Sequence, residues 1–169
     1  MTGQKDYGSI AEKIVNEILV RTYGKKNVKY VGKSNKYSGD FIVKDKKNSK
    51  IIEVKGQKVD NWGRSDDEFD SVGNYINLSS AEWHKLTDKK KGKQFQKSFE
   101  VWIVYRLDRR WKNWPVSIVK IKGTELVKCK TSPQPMIRVK TPRTFWKKIG
   151  FQEALDPKKF SKSLQKFLK

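Results

Sequence analysis

Cysteine and histidine are almost absent from this sequence, which contains one of each, Cys129 and His84. A single cysteine excludes an internal disulfide and any cysteine-rich zinc or iron–sulfur centre. A single histidine disfavours histidine-dependent metal nucleases and triad hydrolases. We expect His84, which follows Trp83 in a predicted helix, to be a surface residue rather than a general base. The chain also lacks a glycine-rich phosphate-binding motif, which disfavours ATP-driven chemistry.

Long hydrophobic runs are absent as well. No apolar run approaches the roughly 18 residues of a membrane-spanning helix, and the N-terminal segment MTGQKDYGS lacks the apolar core of a signal peptide. Hydrophobic residues make up only 36% of the chain, but 12% of its residues are aromatic, so a few large side chains can build a core. We therefore expect a folded intracellular protein, cytoplasmic or nucleoid-associated, without a membrane partner.

Acidic residues are scarce in the second half of the chain. Residues 1–85 contain 16 lysines and arginines against 12 acids, whereas residues 86–169 contain 23 against 6, and the whole chain has a net charge of +21. So large a surplus opposes compaction by self-repulsion, which favours a polyanionic partner. Nucleic acid is the predicted partner, because no clearly lipid-seeking face is found. A generally basic proteome is the alternative explanation.

The hydrophobic pattern predicts one α/β domain over residues 1–169, with a first helix followed by a mixed or antiparallel sheet and helices packed against it. The helix is expected from about Ser9 to Tyr23, where isoleucine recurs every fourth residue. Ser9 is its predicted N-cap, Glu12 stands at the capping-box position, and Gly24 is the predicted stop. Strands are expected in NVKYVG, SGDFIVKD, KIIEVKG, YINLS, FEVWIVYRLD and RRWKNWPVSIVKIKG, with FEVWIVYRLD central.

The other segments are predicted to be loops and further helices. Residues 59–74 have many acids and no periodicity, and their spacing favours a loop over a calcium site. A helix is expected to begin at Ser79 or Ser80, and a C-terminal helix is expected with Asp156 as its cap. The proline-rich segment TSPQPMIRVKTPRTFW is predicted to be irregular.

The segment SKIIEVKGQ is among the most strand-like in the chain, yet it contains Glu53 and Lys55. Residues two apart on a strand face the same way, so these two side chains share the face opposite the apolar positions. A hairpin turning about Lys47–Asn48 would pair Ile42 with Glu53 and Asp40 with Lys55. That register places the three charged side chains on one face, and a slip of one residue would send Asp40 to the other face.

Two carboxylates on neighbouring strands suit a hard divalent cation such as Mg²⁺, which prefers a few carboxylates together with waters and phosphate oxygens. The cation offsets charge on a phosphate under attack, and a neighbouring lysine can help to activate water and stabilise developing negative charge. These residues therefore indicate phosphodiester hydrolysis. From spacing alone, an ordinary exposed ion pair between Glu53 and Lys55 is an equally open alternative.

The segment SGDF, followed after a short hairpin by IIEVKG, resembles the PD-(D/E)XK nuclease superfamily. Ser38-Gly39-Asp40 stands in place of the usual Pro-Asp of this family, whereas the E-x-K element, Glu53-Val54-Lys55, is intact. YINLSSAEWHKL followed by FEVWIVYRL is similar to the NO VEIN-type branch and to restriction-endonuclease-like domains. The resemblance spans about residues 8–107 and implies a mixed central sheet flanked by helices.

This resemblance also implies roles for individual residues. Asp40 and Glu53 would bind Mg²⁺, for which Mn²⁺ can substitute, and the Val54 carbonyl would add a backbone ligand. Lys55 would manage the nucleophilic water. Glu12 on the first helix would complete the acidic cluster or help to hold a second metal, a role that is compatible with helix capping.

The basic part of the chain, about residues 106–169, is expected to bind nucleic acid. Lysine and arginine neutralise phosphates without reading sequence, and neighbouring aromatic residues can stack on bases. Gln57, which follows the E-x-K element, is a candidate contact or simply a polar strand end. The predicted contacts are Gln57, Arg106, Arg109, Arg110, Lys112, Arg143, Lys147 and Lys148, interleaved with Trp111, Trp114, Phe145 and Trp146.

The sequence therefore predicts a Mg²⁺-dependent endonuclease that hydrolyses DNA phosphodiester bonds in restriction, repair, recombination or mobile-element biology. Two alternatives stay open, a non-catalytic nucleic-acid-binding domain on the same fold and an RNA nuclease. An intact set of two carboxylates and a lysine favours the enzyme, because a pure binding domain gains nothing from acids that face phosphates. The small size is compatible with a homodimer that cuts both strands.

Overall fold

The computed structural model describes residues 7–33, 38–46, 48–57, 75–105, 116–129, 131–132, 137–140 and 151–168. Its helices are α1 (Tyr7–Tyr23), α2 (Ser80–Thr87), α3 (Gly92–Ser98), α4 (Gly123–Leu126) and α5 (Lys162–Leu168). Its strands are β1 (Val28–Tyr30), β2 (Phe41–Asp45), β3 (Asn48–Gln57), β4 (Tyr75–Leu78), β5 (Phe99–Tyr105), β6 (Ser117–Lys122), β7 (Thr131–Ser132), β8 (Ile137–Lys140) and β9 (Phe151–Ala154).

A mixed sheet of six strands lies at the centre, in the order β1-β2-β3-β5-β6-β9. Strands β3 and β5 are parallel, and the other neighbours in this sheet are antiparallel. A smaller sheet contains β4, β8 and β7. The predicted mixed α/β architecture is therefore confirmed, as is the central position of β5. None of the helices in the described ranges is long and apolar enough to cross a bilayer.

Each face of the large sheet is covered by helices with apolar inner sides. On one face, α1 buries Ala11, Ile14, Val15 and Leu19 against a cluster that also contains Ile52, Val54, Trp102, Ile118, Leu164 and Leu168. On the other face, α2 and α4 pack on a second cluster formed by Ile76, Leu78, Leu86, Phe99, Val101, Ile103, Val119, Ile121 and Leu126. The fourfold spacing of apolar residues in α1 gives it this single buried stripe.

Helix α1 begins two residues before the predicted start. It runs from Tyr7 to Tyr23, so Ser9 and Glu12 lie inside it and the predicted capping box at its N-terminus is wrong. The early start accompanies a close backbone approach to β3. A Cβ atom on Gly56 would lie 2.5 Å from the Tyr7 carbonyl oxygen, so glycine lets the first turn of α1 settle on the strand.

Three later segments also differ from the sequence-based expectation. The segment predicted to be irregular contributes β7 and β8, and β8 pairs with β4 far away in the chain. Strand β9 and helix α3 were not anticipated. Asp156 does act as a cap, since its side chain accepts the Lys158 N–H at 3.0 Å. It caps a short 3-10 turn, Pro157–Lys159, and helix α5 starts only after this turn.

Candidate active site

Strands β2 and β3 pair in a register two residues away from the predicted one. Phe41 lies opposite Ile52, so the expected pairing of Ile42 with Glu53 is wrong. The turn also comes one residue earlier than expected, between Asp45 and Asn48, which face each other. Because side chains alternate with a period of two, an even shift leaves every residue on its predicted face.

Asp40 comes to lie beside Glu53 rather than beside Lys55, at the point where β2 begins. The Asp40 N–H donates to the Ile52 carbonyl at 2.8 Å, and its Oδ2 atom accepts the Val54 N–H at 2.7 Å. The carboxylate thus replaces the backbone acceptor that β2 would supply if it extended further. This hydrogen bond fixes Asp40 against the edge of β3, directly at the E-x-K element.

Glu53 and Lys55 form an ion pair on the face of β3 that points away from α1. The Lys55 Nζ atom lies 2.5 Å from Glu53 Oε1. Glu53 is only 8% exposed, so the pair is not the ordinary solvent-exposed one that the sequence left open. The predicted burial of Ile52 and Val54 on the opposite face is confirmed.

The carboxylates of this region are destabilised as anions. The pKa of Glu53 is raised to about 7, mainly by burial and also by repulsion from Asp40 and Glu82, against the opposing effect of Lys55. Burial also raises the pKa of Asp40, assisted by repulsion from Glu12 and Glu82, although the Val54 N–H opposes the shift. Several carboxylates therefore lie near a single amine, that of Lys55, and their negative charge is only partly compensated.

Glu12 reaches this region through Tyr30. The Tyr30 hydroxyl donates to Glu12 Oε2 at 2.7 Å, and this hydrogen bond is the main reason why the pKa of Tyr30 is raised to about 12. A Cβ atom on Gly32 would lie 2.7 Å from Asp40 Oδ1 and 2.9 Å from the Tyr30 hydroxyl. The Asp40 carboxylate and the Tyr30 hydroxyl therefore both lie close to this glycine. Glu12 therefore borders the site from α1 and has no helix-capping role.

Glu82 is a site residue that the sequence analysis missed. Its Oε1 atom accepts the Gly39 N–H at 3.0 Å, while Oε2 accepts the Ser79 N–H at 3.1 Å within the capping box of α2. Lys85, one turn further along α2, donates to the Ser38 hydroxyl at 2.7 Å. Helix α2 thus holds the segment that carries Asp40. The S-x-x-E pattern before α2 was a visible signal for the cap, but the contact with Gly39 depends on tertiary packing.

The residues present fit a hard divalent cation in their chemistry. Within the described ranges, no three acidic, histidine or cysteine side chains form a group that could hold a metal ion. Mg²⁺, however, is commonly bound through one or two carboxylates, with waters and phosphate oxygens completing its shell. Asp40 and Glu53 supply two, and both have a raised pKa that a cation would offset. Val54 lies between the acid and the lysine, so its carbonyl stays a predicted ligand.

The predicted nucleic-acid contacts fall outside the part of the chain that the structure describes, apart from the backbone of Gln57. Gln57 ends β3, and its side chain lies outside the described part of the structure. His84 is exposed on α2, as expected. The other predicted contacts, Arg106, Arg109, Arg110, Lys112, Arg143, Lys147 and Lys148, also lie outside the described residues.

No protein-family model, curated protein or solved structure matches this chain. Function therefore has to be inferred from the chemistry of the site. Its distinctive element is the meeting of two half-buried or buried carboxylates with one amine, at the junction of two adjacent strands.

Proposed function

We propose that this protein is a metal-dependent endonuclease that hydrolyses DNA phosphodiester bonds, with a restriction-endonuclease-like fold of the PD-(D/E)XK type. The main support is the convergence of Asp40, Glu53 and Lys55 at one end of the β2–β3 hairpin. Asp40 is fixed by the Val54 N–H, and Glu53 is fixed by Lys55. Such preorganisation of acids with raised pKa values is typical of catalytic sites.

Asp40, Glu53 and the Val54 carbonyl would hold Mg²⁺ or Mn²⁺. When bound, the ion would offset charge on the phosphate and lower the pKa of a coordinated water. The Lys55 amine would hold the attacking water and stabilise negative charge on the phosphate. Glu12, tied to Tyr30, would keep a further acid at the border of the site.

A non-catalytic nucleic-acid-binding domain is the second candidate function. The observation that favours it is the ion pair itself, because Lys55 already offsets the charge of Glu53 and contacts one of its two carboxylate oxygens. In an enzyme, metal binding must compete with this contact. In a binding domain, the pair would persist when nucleic acid binds.

Cleavage assays separate these functions. Plasmid DNA, branched DNA, single-stranded DNA and RNA are each incubated with the protein in Mg²⁺, in Mn²⁺ and in chelator. We expect cleavage only with metal. Asp40→Asn, Glu53→Gln and Lys55→Met should still bind the substrate, but should cleave it about 10²- to 10⁴-fold more slowly. Glu125→Gln is the matched control, since Glu125 pairs with Lys128 on the surface at 3.2 Å and should retain full activity.

The outcomes discriminate between the candidates. Equal cleavage by the three site variants would remove the catalytic assignment. Tight binding without cleavage of any substrate would favour the binding domain. Metal-dependent cleavage of RNA but not DNA would assign an RNA nuclease to the same residues.

A further inference from the structure

A groove runs along α1, between this helix and the edge strand β1. Two adjoining concavities form it, with volumes of about 360 and 490 Å³. Both are lined by Asn16 and Tyr30, so the groove continues from one to the other. The smaller concavity contains Glu12, next to the candidate active site, and the larger one extends to Lys25 and Lys159.

Tyr30 stands where the two concavities meet. It is 43% exposed, and no other large hydrophobic side chain in the described residues is exposed to this degree. Its hydroxyl is tied to Glu12, and its ring packs at 5.2 Å from the ring of Phe41. A fixed and exposed aromatic ring is what a stacking platform for nucleic-acid bases requires.

Cations line the groove beyond Tyr30. In the larger concavity, Arg21 donates to the Lys159 carbonyl at 2.7 Å and lies over the ring of Phe160 at 5.0 Å, so its guanidinium is held in place. Lys25 and Lys159 are exposed beside it. From Glu12 to Arg21 the helix rises by roughly 14 Å, which separates these cations from the carboxylates of the active site.

The acids in the groove do not cancel this charge. Two acids, Glu12 and Glu17, line the two concavities. They are outnumbered by five cations among the described residues, namely Lys13, Arg21, Lys25, Lys33 and Lys159. The groove is therefore basic beyond the active site, and its concave walls focus the positive potential on a bound anion.

We propose that this groove binds a single-stranded segment of the nucleic-acid substrate, with a base stacked on Tyr30 and phosphates on Arg21, Lys25 and Lys159. In a duplex, the faces of each base are covered by its neighbours, so the platform selects unpaired nucleotides. This path rests on the proposed nuclease function, since it leads the strand away from Asp40 and Glu53. It deepens that function by naming substrates with a single-stranded arm or end.

Binding is measured in chelator, so that it does not depend on cleavage. Fluorescence anisotropy of a labelled single strand and of a blunt duplex of equal length is recorded with Glu53→Gln protein as the parent. Adding Tyr30→Ala should weaken binding of the single strand by about 5- to 150-fold. Adding Tyr30→Phe, which keeps the ring but loses the bond to Glu12 that helps to fix it, should weaken binding of the single strand less than Tyr30→Ala does.

The cations are tested by salt dependence. Lys25→Ala combined with Lys159→Ala should reduce the slope of log affinity against log salt by about 1.4 for the single strand. The matched control is Lys89→Ala with Lys90→Ala, which removes the same charge from the exposed turn between α2 and α3, on the opposite face of the sheet. The control should leave this slope unchanged.

Three results would overturn the proposal: single-strand binding unaffected by Tyr30→Ala, equal loss of duplex binding in the groove variants, or equal slopes in the two lysine pairs. None of these results would contradict the proposed nuclease function, which is tested separately by metal-dependent cleavage in protein that retains Glu53. Conversely, groove variants that lose single-strand binding in a protein that never cleaves would support the groove and remove the nuclease.

Discussion

Replacement of Glu53 by glutamine should change how the stability of the protein depends on pH. Glu53 is 8% exposed, and burial is the largest cause that raises its pKa from an ordinary 4.5 to about 7. One pKa unit corresponds to about 1.4 kcal/mol of free energy, so the difference amounts to about 3 kcal/mol. Glutamine has nearly the same shape and no charge in this range.

The sign follows from proton binding. Between pH 4.5 and 7 the folded protein keeps a proton on Glu53 that the unfolded chain has released. The contribution of this group to stability is therefore fully present below pH 4.5 and is lost as the pH rises through about 7. In Glu53→Gln this loss is absent. The free energy of unfolding of the variant should gain about 3 kcal/mol relative to the wild type between pH 4.5 and pH 8.

Urea unfolding of both proteins across this range measures the difference directly. Groups other than Glu53 titrate in both proteins, and most of their effect cancels in the comparison. Glu125→Gln serves as the control, because a surface ion pair contributes only about 0 to 1 kcal/mol and its removal should not produce a comparable pH-dependent gain. Parallel pH profiles for Glu53→Gln and the wild type would refute the claim that burial governs this carboxylate.

Two glycine substitutions test the packing around the site. Gly32→Ala places a Cβ atom 2.7 Å from Asp40 Oδ1, so metal-dependent cleavage should fall at least tenfold while the far-ultraviolet spectrum stays native; full activity would contradict the position of this carboxylate. Gly56→Ala places a Cβ atom 2.5 Å from the Tyr7 carbonyl oxygen, a backbone atom with little freedom to move. It should lower the free energy of unfolding by about 1 to 3 kcal/mol in urea, and an unchanged midpoint would show that α1 does not pack closely here.

The sequence was sufficient to predict the faces of β2 and β3, but not their pairing. Alternation of apolar and charged residues decides which side of the sheet a residue occupies, and Ile52 and Glu53 lie as predicted. Register depends on the turn, and the charged sequence between the strands contains no glycine or proline to fix it. The predicted register was wrong by two residues, an even number, so Asp40 still lies on the same face as Glu53. An error of one residue would have placed Asp40 on the opposite face.

The capping-box pattern S-x-x-E occurs at the predicted starts of two helices, but it forms a capping box at only one of them. Ser9 and Glu12 match the capping box S-x-x-E, and so do Ser79 and Glu82. Only the second pair forms the box. At the first, packing of the helix start on Gly56 extends α1 to Tyr7, and the Glu12 carboxylate instead accepts the Tyr30 hydroxyl. Tertiary contacts outweigh a capping preference of about 1 kcal/mol, and a single sequence does not contain them.

Strands β7, β8 and β9 were missed for a related reason. They are two to four residues long, and β8 is stabilised by pairing with β4, which lies about sixty residues earlier in the chain. So short a segment shows little periodicity, and neighbouring prolines favour an irregular reading. Long strands such as β5 could be predicted because a run of consecutive apolar residues indicates a buried strand.

The structural role of Asp40 also bears on its proposed chemistry. If Asp40 served only to close the hairpin edge, asparagine could accept the Val54 N–H equally well through its side-chain oxygen, without the unfavourable burial of a charge. The carboxylate instead lies beside a second acid, and burial raises the pKa of both. Folding alone gains nothing from this repulsion. A bound cation would make the same pair of acids favourable. Asp40→Asn should therefore preserve the hairpin and slow metal-dependent cleavage by about 10²- to 10⁴-fold.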